Sequence, residues 1–134
     1  MTVNLQQAVL VVDDEAMVRA LTCIMLCELG FHDVDSARDG LEALRKMRKR
    51  TYGLVLSDWN MEPMTGYELL QQVRSDLTIA RTPFVMVTGE SRREHIVAAM
   101  QAGADAYLLK PLRIDTLSAK IRDLSHAESC YAVR

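Results

Sequence analysis

Short apolar runs that stop abruptly at a polar residue recur along this sequence, and they restrict its fold more than any other feature. Ala8-Val9-Leu10-Val11-Val12 breaks into Asp13-Asp14-Glu15, and Val55-Leu56-Ser57 ends in Asp58. Pro83-Phe84-Val85-Met86-Val87 ends in Thr88, and Ala106-Tyr107-Leu108-Leu109 stops at Lys110. A strand covered on both faces reads as a near-continuous apolar run, whereas a strand with one wet face alternates. Val34 and its neighbours make a shorter further strand.

Between the runs lie segments with helical spacing. The first, about residues 15–29, repeats Val18, Leu21, Met25 and Leu29, with Asp14 or Glu15 to cap it and Gly30 to stop it. The second follows a capping arrangement, Asp39-Gly40-Leu41-Glu42, and presents Leu41, Leu44 and Met47. Thr65-Gly66-Tyr67-Glu68 has capping-box spacing ahead of Leu69, Leu70 and Val73, and Ser91-Arg92-Arg93-Glu94 repeats it ahead of Ile96, Val97 and Met100, with Gly103 as the stop. A fifth helix carries Ile114, Leu117, Ile121 and Leu124, and from about Ser125 onward no stable pattern remains.

Strands alternating with amphipathic helices predict a five-stranded parallel sheet with right-handed crossovers and helices on both faces, a doubly wound α/β fold. With 134 residues the chain is read as one domain, 1–134, with its core over about 8–125 and a short tail, 126–134. Sixteen basic and 18 acidic residues leave a formal charge of −2, so no global basic field favours nucleic acid or an anionic membrane surface. The run Arg45, Lys46, Arg48, Lys49 and Arg50 is read as a solvated face that complements a helix C-terminus. The polar start at Met1 and the lack of a long apolar stretch predict a cytoplasmic protein with no membrane span. Cys23 and Cys27, four apart, and Cys130 are read as core-filling thiols in preference to a two-ligand metal clip. His32, His95 and His126 pair with no Ser or Cys in a hydrolytic pattern and are assigned surface or packing roles.

In a parallel sheet all strand carboxyl ends share one edge, which gathers Asp13, Asp14, Asp58, Thr88 and Lys110 from most of the chain's length. Alone, each has a bland explanation: Asp58 can start a turn, Asp13 and Asp14 can cap a helix, Thr88 can end a strand, and Lys110 can be a solvated cation. Together they describe chemistry. Clustered carboxylates repel, and a hard cation such as Mg²⁺, bound through two or three carboxylate oxygens and waters, relieves that repulsion. With Asp13 and Asp14 on the cation, Asp58 has one oxygen for the metal and another for attack on phosphorus, giving an aspartyl phosphate. Thr88 then offers a hydroxyl donor and Lys110 a point-charge partner to the phosphoryl oxygens.

Val11-Val12-Asp13-Asp14, Leu56-Ser57-Asp58-Trp59-Asn60-Met61, Met86-Val87-Thr88-Gly89-Glu90 and Ala106-Tyr107-Leu108-Leu109-Lys110-Pro111 resemble the receiver domain of two-component response regulators, and within it the free-standing chemotaxis regulators. The resemblance spans about residues 8–125 and carries with it a flavodoxin-like strand order of 2-1-3-4-5. It implies a phosphodonor histidine kinase, Asp58 as acceptor, and Mg²⁺ held by Asp13, Asp14, Asp58 and the Asn60 backbone carbonyl. It further implies that Thr88 and Tyr107 form a switch pair, and that Asn60 and Glu90 position the water that hydrolyses a short-lived acyl phosphate. Output would be read on the fourth helix, fifth strand and fifth helix, where Tyr107, Arg92, Arg93, Arg113 and Lys120 are candidate contacts for a target protein. Lys110-Pro111 resembles the family's cis peptide.

Two departures stand out: Met61-Glu62-Pro63-Met64-Thr65-Gly66, where relatives commonly read Met-Pro and then Asp-Gly, and Gly89, where they often have Ala. The first leaves the loop path beside Asp58 open. The second loosens the backbone next to the phosphate. The expectation is a monomeric signalling protein without a DNA-binding domain that turns over only its own aspartyl phosphate and is not otherwise an enzyme. The alternatives are a Mg²⁺-dependent phosphohydrolase with an Asp nucleophile, whose two acids would lie two apart instead of adjacent, and a phosphorylation-independent adaptor. No GxxxxGK[ST] run is present for a P-loop nucleotide hydrolase.

Overall fold

The structure, a computed structural model, describes the backbone of residues 4–132 and the side chains of residues 4–125. Strands β1 (Val9–Val12), β2 (Val34–Ala37), β3 (Leu54–Asp58), β4 (Phe84–Thr88) and β5 (Ala106–Leu109) alternate with helices α1 (Ala16–Glu28), α2 (Gly40–Lys49), α3 (Gly66–Ser75), α4 (Arg93–Gln101) and α5 (Ile114–Ala132). The sheet is wholly parallel in the order β2-β1-β3-β4-β5. The doubly wound α/β fold and its order 2-1-3-4-5 are as expected.

The apolar runs are the buried strands. Every residue of β1, β3 and β4 is buried, and the two-residue side-chain period divides them between two cores. Leu10, Val12, Val55, Phe84 and Met86 meet Leu44, Met47, Leu69, Leu70 and Ala99, so α2, α3 and α4 cover one face. Val9, Val11, Leu56, Val85 and Val87 meet Leu26 and Leu117, so α1 and α5 cover the other. Fully burying side chains of this size contributes roughly 1.5–3 kcal/mol each. Strands β2 and β5 are the edges, which is why Val34-Asp35-Ser36-Ala37 carries polar residues.

Helix ends follow local chemistry where short polar side chains are available. Asp39 Oδ1 accepts from the Glu42 N–H at 2.8 Å at the start of α2. The predicted box at α3 is complete, Thr65 Oγ1 accepting from Glu68 N–H and Glu68 Oε1 from Thr65 N–H. Gly30 and Gly103 take positive φ, 105° and 106°, just beyond α1 and α4, a conformation other residues rarely adopt.

Several expectations are corrected. Helix α1 turns Thr22 and Leu26 to the sheet, while Leu21, assigned to the inner stripe, is 51% exposed and Val18, Met25 and Leu29 are half-buried. Apolar residues also occupy the outer side (Met17, Ile24), so spacing alone did not identify the inner face; Thr22 is tolerated there because its hydroxyl donates to Val18 O at 2.9 Å. Glu15 stands at the N-cap position of α1, but neither it nor Asp14 makes a side-chain cap; Asp13 Oδ1 accepts from the Glu15 N–H at 2.9 Å. The box expected at Ser91 does not form. Helix α4 begins after Arg92, which makes no side-chain cap, and Glu90 Oε1 accepts from Arg92 N–H instead. Leu41, Val97 and Met100 are exposed, and Ala43 and Ala99 fill the inner positions beside the sheet. The backbone of α5 continues past Ser125 to Ala132, with no Gly or Pro to end it. Cys23 is half-buried and Cys27 exposed, so Cys27 fills no core; the side chains of Cys130 and His126 lie outside the described residues. Among the described residues no helix is long and apolar enough to cross a membrane.

One stabilising element had no sequence signature. Arg74 donates to Gly103 O (3.0 Å), Ala80 O (3.0 Å) and Thr82 O (2.7 Å), and its Nη2 pairs with Asp105 Oδ2 at 3.0 Å. That carboxylate also accepts from the Phe84 N–H, so α3, the start of β4 and the approach to β5 meet at one guanidinium. The paired side chains are only 21% and 20% exposed. Arg74→Ala is expected to cost about 2–3 kcal/mol in chemical denaturation, since it strands a shielded carboxylate and three carbonyls; a loss within the ordinary range for surface substitutions would show the cluster to be dispensable.

Candidate functional site: the carboxyl edge of the sheet

Parallel pairing places the ends of β1, β3, β4 and β5 on one edge, and register sets Asp58 beside Val87 and Thr88 beside Leu109. Asp13 follows β1, Asp58 ends β3, Thr88 ends β4 and Lys110 follows β5. A backbone bond from Lys110 N–H to Thr88 O, 2.9 Å, holds the last two tips together. Lys110 Nζ lies 3.0 Å from Asp13 Oδ2 and 3.3 Å from Asp58 Oδ1, joining residues from opposite ends of the chain.

Each acid is fixed differently. Asp13 is buried, its Oδ1 held by the Glu15 N–H and its backbone carbonyl by Arg19 Nη1 at 2.7 Å. Asp58 is buried as well. Its Oδ1 takes the Trp59 N–H at 2.8 Å together with Lys110, leaving Oδ2 without a partner among the described residues. Asp14 is exposed, and oxygens of the three carboxylates lie within 4.8 Å of one another. Three hard oxygen donors this close fit a small divalent cation that keeps several waters. The Asn60 backbone carbonyl accepts no hydrogen bond among the described residues and could supply a further oxygen.

Burial pushes the Asp58 carboxyl up; the Lys110 ammonium draws it back and the like charge of Asp13 adds to the rise, leaving it above its ordinary value. Burial pulls the Lys110 ammonium down, but Asp13 and Asp58 outweigh this and hold it above its ordinary range. Asp58 is thus a strained carboxylate and Lys110 a firmly protonated cation.

The loop beyond Asp58, left open by the sequence, has a defined path. Met61 is buried, Glu62 and Pro63 are exposed across a cis peptide, and Gly66 N–H returns to Trp59 O at 2.8 Å. A Cβ on Gly66 would sit 1.9 Å from Asp58 O, so only glycine lets α3 start against the end of β3. The Trp59 ring stacks on Tyr67 at 5.2 Å and meets the edge of His95 at 4.9 Å, which gives His95 the packing role expected of it. Lys110-Pro111 is cis, as the resemblance implied.

Thr88 is fully buried, and its Oγ1 accepts from the Glu90 N–H at 3.2 Å, which leaves its own O–H without an acceptor among the described residues. Tyr107 is half-buried and donates to Glu90 O at 2.6 Å. The two candidate switch side chains therefore meet on one peptide segment. Of the candidate partner contacts, Arg92 and Arg93 open α4 and are exposed; the side chains of Arg113 and Lys120 make no hydrogen bond or ion pair among the described residues and do not join the Glu90 cluster. A cavity of about 370 Å³ runs beneath α1 between Val18, Met25, Leu56 and Leu112, with Asp58 and Lys110 at its polar end. Sequence reasoning missed Arg19 and the Trp59 N–H; an Arg six residues after Asp13 on the following helix was the available signal for the first, and a backbone donor leaves none.

The fold and its edge define a doubly wound parallel α/β domain with acids, a hydroxyl and an ammonium converging at the carboxyl ends of its strands. The comparisons narrow it: residues 9–122 match the response regulator receiver domain, and the chain belongs to that family. It is 38% identical over 118 residues to chemotaxis protein CheY-3 of Vibrio cholerae, covering 88% of this chain and 91% of that one. Against chemotaxis protein CheY of Pseudomonas aeruginosa the identity is 37%, over 87% and 94% of the two chains. The solved structure of Vibrio cholerae CheY4 superposes with a TM-score of 0.83 at 34% identity, covering 89% and 98%.

The raised Asp58 carboxyl has a consequence for stability. A folded value above the unfolded one means that ionised Asp58 costs stability near neutral pH, and that the cost vanishes below the unfolded range of about 4, where both states are protonated. Asp58→Asn is expected to raise the melting midpoint at pH 7 in metal-free buffer, with a gain that shrinks toward pH 4. A lowered midpoint at pH 7 would contradict the assigned strain.

Proposed function

We propose that this receiver domain is a phosphorylation-controlled signalling protein: a histidine kinase phosphorylates Asp58 in a Mg²⁺-dependent step, and a target protein reads the result on the surface of α4, β5 and α5. The observation that carries the reading is Lys110 bridging Asp13 and Asp58 while Asp58 Oδ2 stays open. Asp58 Oδ2 forms the new bond to phosphorus, the phosphorus–nitrogen bond of the phosphohistidine breaks, and the imidazole leaves with the bonding pair and takes up a proton. Mg²⁺, when bound, supplies charge neutralisation for the carboxylates and phosphoryl oxygens, with Asp13, Asp14, Asp58 and the Asn60 carbonyl as its protein ligands. Lys110 exchanges its Asp58 contact for a phosphoryl oxygen, and the free O–H of Thr88 donates to another. Movement of Thr88 pulls on the Glu90 peptide, which is also where Tyr107 is anchored, so the change reaches β5 and α4.

The similarity to chemotaxis proteins supports a role in chemotaxis or motility, a role we assign to a cytoplasmic monomer. On this reading the protein hydrolyses its own aspartyl phosphate but turns over no separate substrate, so a stable phosphate ester should persist in its presence. Incubation with acetyl phosphate and Mg²⁺ should add one phosphoryl group to the unsubstituted chain and none to Asp58→Asn, read by intact mass; labelling of both would sink the assignment. Trp59, the sole tryptophan, adjoins Asp58, and its fluorescence should change on titration with Mg²⁺, whereas a flat titration would argue against metal at this edge.

A further inference from the structure

Glu90 bonds the side chains of both Thr88 and Tyr107 through its peptide groups, and its own carboxylate is held by a residue outside the phosphoacceptor edge. Oε1 accepts from the Arg92 backbone N–H at 2.8 Å and from Arg92 Nε at 3.0 Å. Among the described residues it bonds none of Asp13, Asp14, Asp58 or Lys110. We propose that Arg92 is a positioning residue that restrains Glu90 and so slows loss of the phosphoryl group from Asp58; this rests on Asp58 being the phosphoacceptor.

In the hydrolysis, a water oxygen bonds to phosphorus and the bond from phosphorus to the Asp58 oxygen breaks, its electron pair returning to the carboxylate. The water's proton passes to solvent, and inorganic phosphate leaves. A carboxylate that accepts from this water aligns it for attack, and Glu90 is the acid whose N–H is bonded to Thr88 Oγ1 at the tip of β4. While Oε1 is shared between two donors of Arg92, Glu90 is turned along its own loop toward the start of α4. The same two donors hold the Glu90 carboxyl below its usual range, which makes it a weaker acceptor. The ion pair is exposed, Arg92 at 67%, so its side chain is a modest restraint. Exposed pairs of this kind hold their side chains only weakly, so the expected change in decay rate is a few-fold.

The test compares the unsubstituted chain, Arg92→Ala, Arg92→Lys, Glu90→Ala and the Arg92→Ala/Glu90→Ala double variant. Each is phosphorylated with acetyl phosphate and Mg²⁺, freed of donor, and followed by intact mass as the phosphoprotein decays, with melting midpoints to verify the fold. Arg92→Ala is expected to decay about two to five times faster, Arg92→Lys to recover part of the difference, and the double variant to decay at the Glu90→Ala rate. If the chains label but Arg92→Ala decays at the unsubstituted rate, or accelerates decay equally without Glu90, the inference is overturned and the phosphoacceptor reading stands. If no folded chain labels, that reading fails and the inference falls with it.

Discussion

The structure turns on the repulsion among carboxylates at the carboxyl edge of the sheet and the one ammonium that offsets it. Asp13 and Asp58 are buried at the ends of adjacent strands, and Lys110 arrives from the far end of the chain to lie within 3.3 Å of both. A hydrophobic substitute for any of the three would be easier to bury, because desolvating an ion costs several kcal/mol before pairing returns anything. The raised Asp58 carboxyl is what remains of that cost after Lys110 has acted. The strain has a chemical use: a carboxylate poorly satisfied by its surroundings gains most when a cation or a phosphoryl group takes its free oxygen.

The parts of this arrangement legible in the sequence were those expressed as contrast. Val12 to Asp13, Ser57 to Asp58, Val87 to Thr88 and Leu109 to Lys110 are each a change from buried strand to polar tip, and a parallel sheet leaves one edge for all of them. The capping box at Thr65 was equally legible, because its chemistry is local. What failed were choices among similar residues. On α1, apolar side chains surround much of the helix, and the inner face went to Thr22 and Leu26 because a hydroxyl can satisfy itself on the preceding turn. At α4, Ser91 and Glu94 have the spacing of a box, but Glu90 Oε1 binds the Arg92 N–H instead and the helix starts one residue later, after Arg92. Arg74 could not be found at all, since three of its four acceptor residues are met through backbone carbonyls that any sequence would supply.

The two sides of the carboxyl edge around Asp58 are built to different standards. Toward α3, Asp58 is backed by Gly66, which admits no side chain, by a complete capping box, and by Leu69, Leu70 and Val73 in the core. Trp59 is stacked on Tyr67 of the same helix, so its backbone N–H, the donor to Asp58, sits on a rigid base. Toward α4 the construction is sparse: one fully buried residue, Ala99, no side-chain cap, and Val97 and Met100 facing outward.

That asymmetry bears on how an event at Asp58 can be felt elsewhere. Local opening or displacement is cheapest where few apolar contacts and caps oppose it, so a change at Thr88 finds far less resistance toward α4 than toward α3. The Glu90 segment lies between Thr88 and α4, and it meets both through short polar contacts: Thr88 and Tyr107 on its peptide groups, Arg92 on its carboxylate. The Trp59–His95 edge contact is a second tie to α4, and His95 Nδ1 is buried there with no hydrogen-bond partner among the described residues. The rigid side thus fixes the position of Asp58, and the more loosely held side is the one that, on the proposed reading, chemistry at Asp58 would displace.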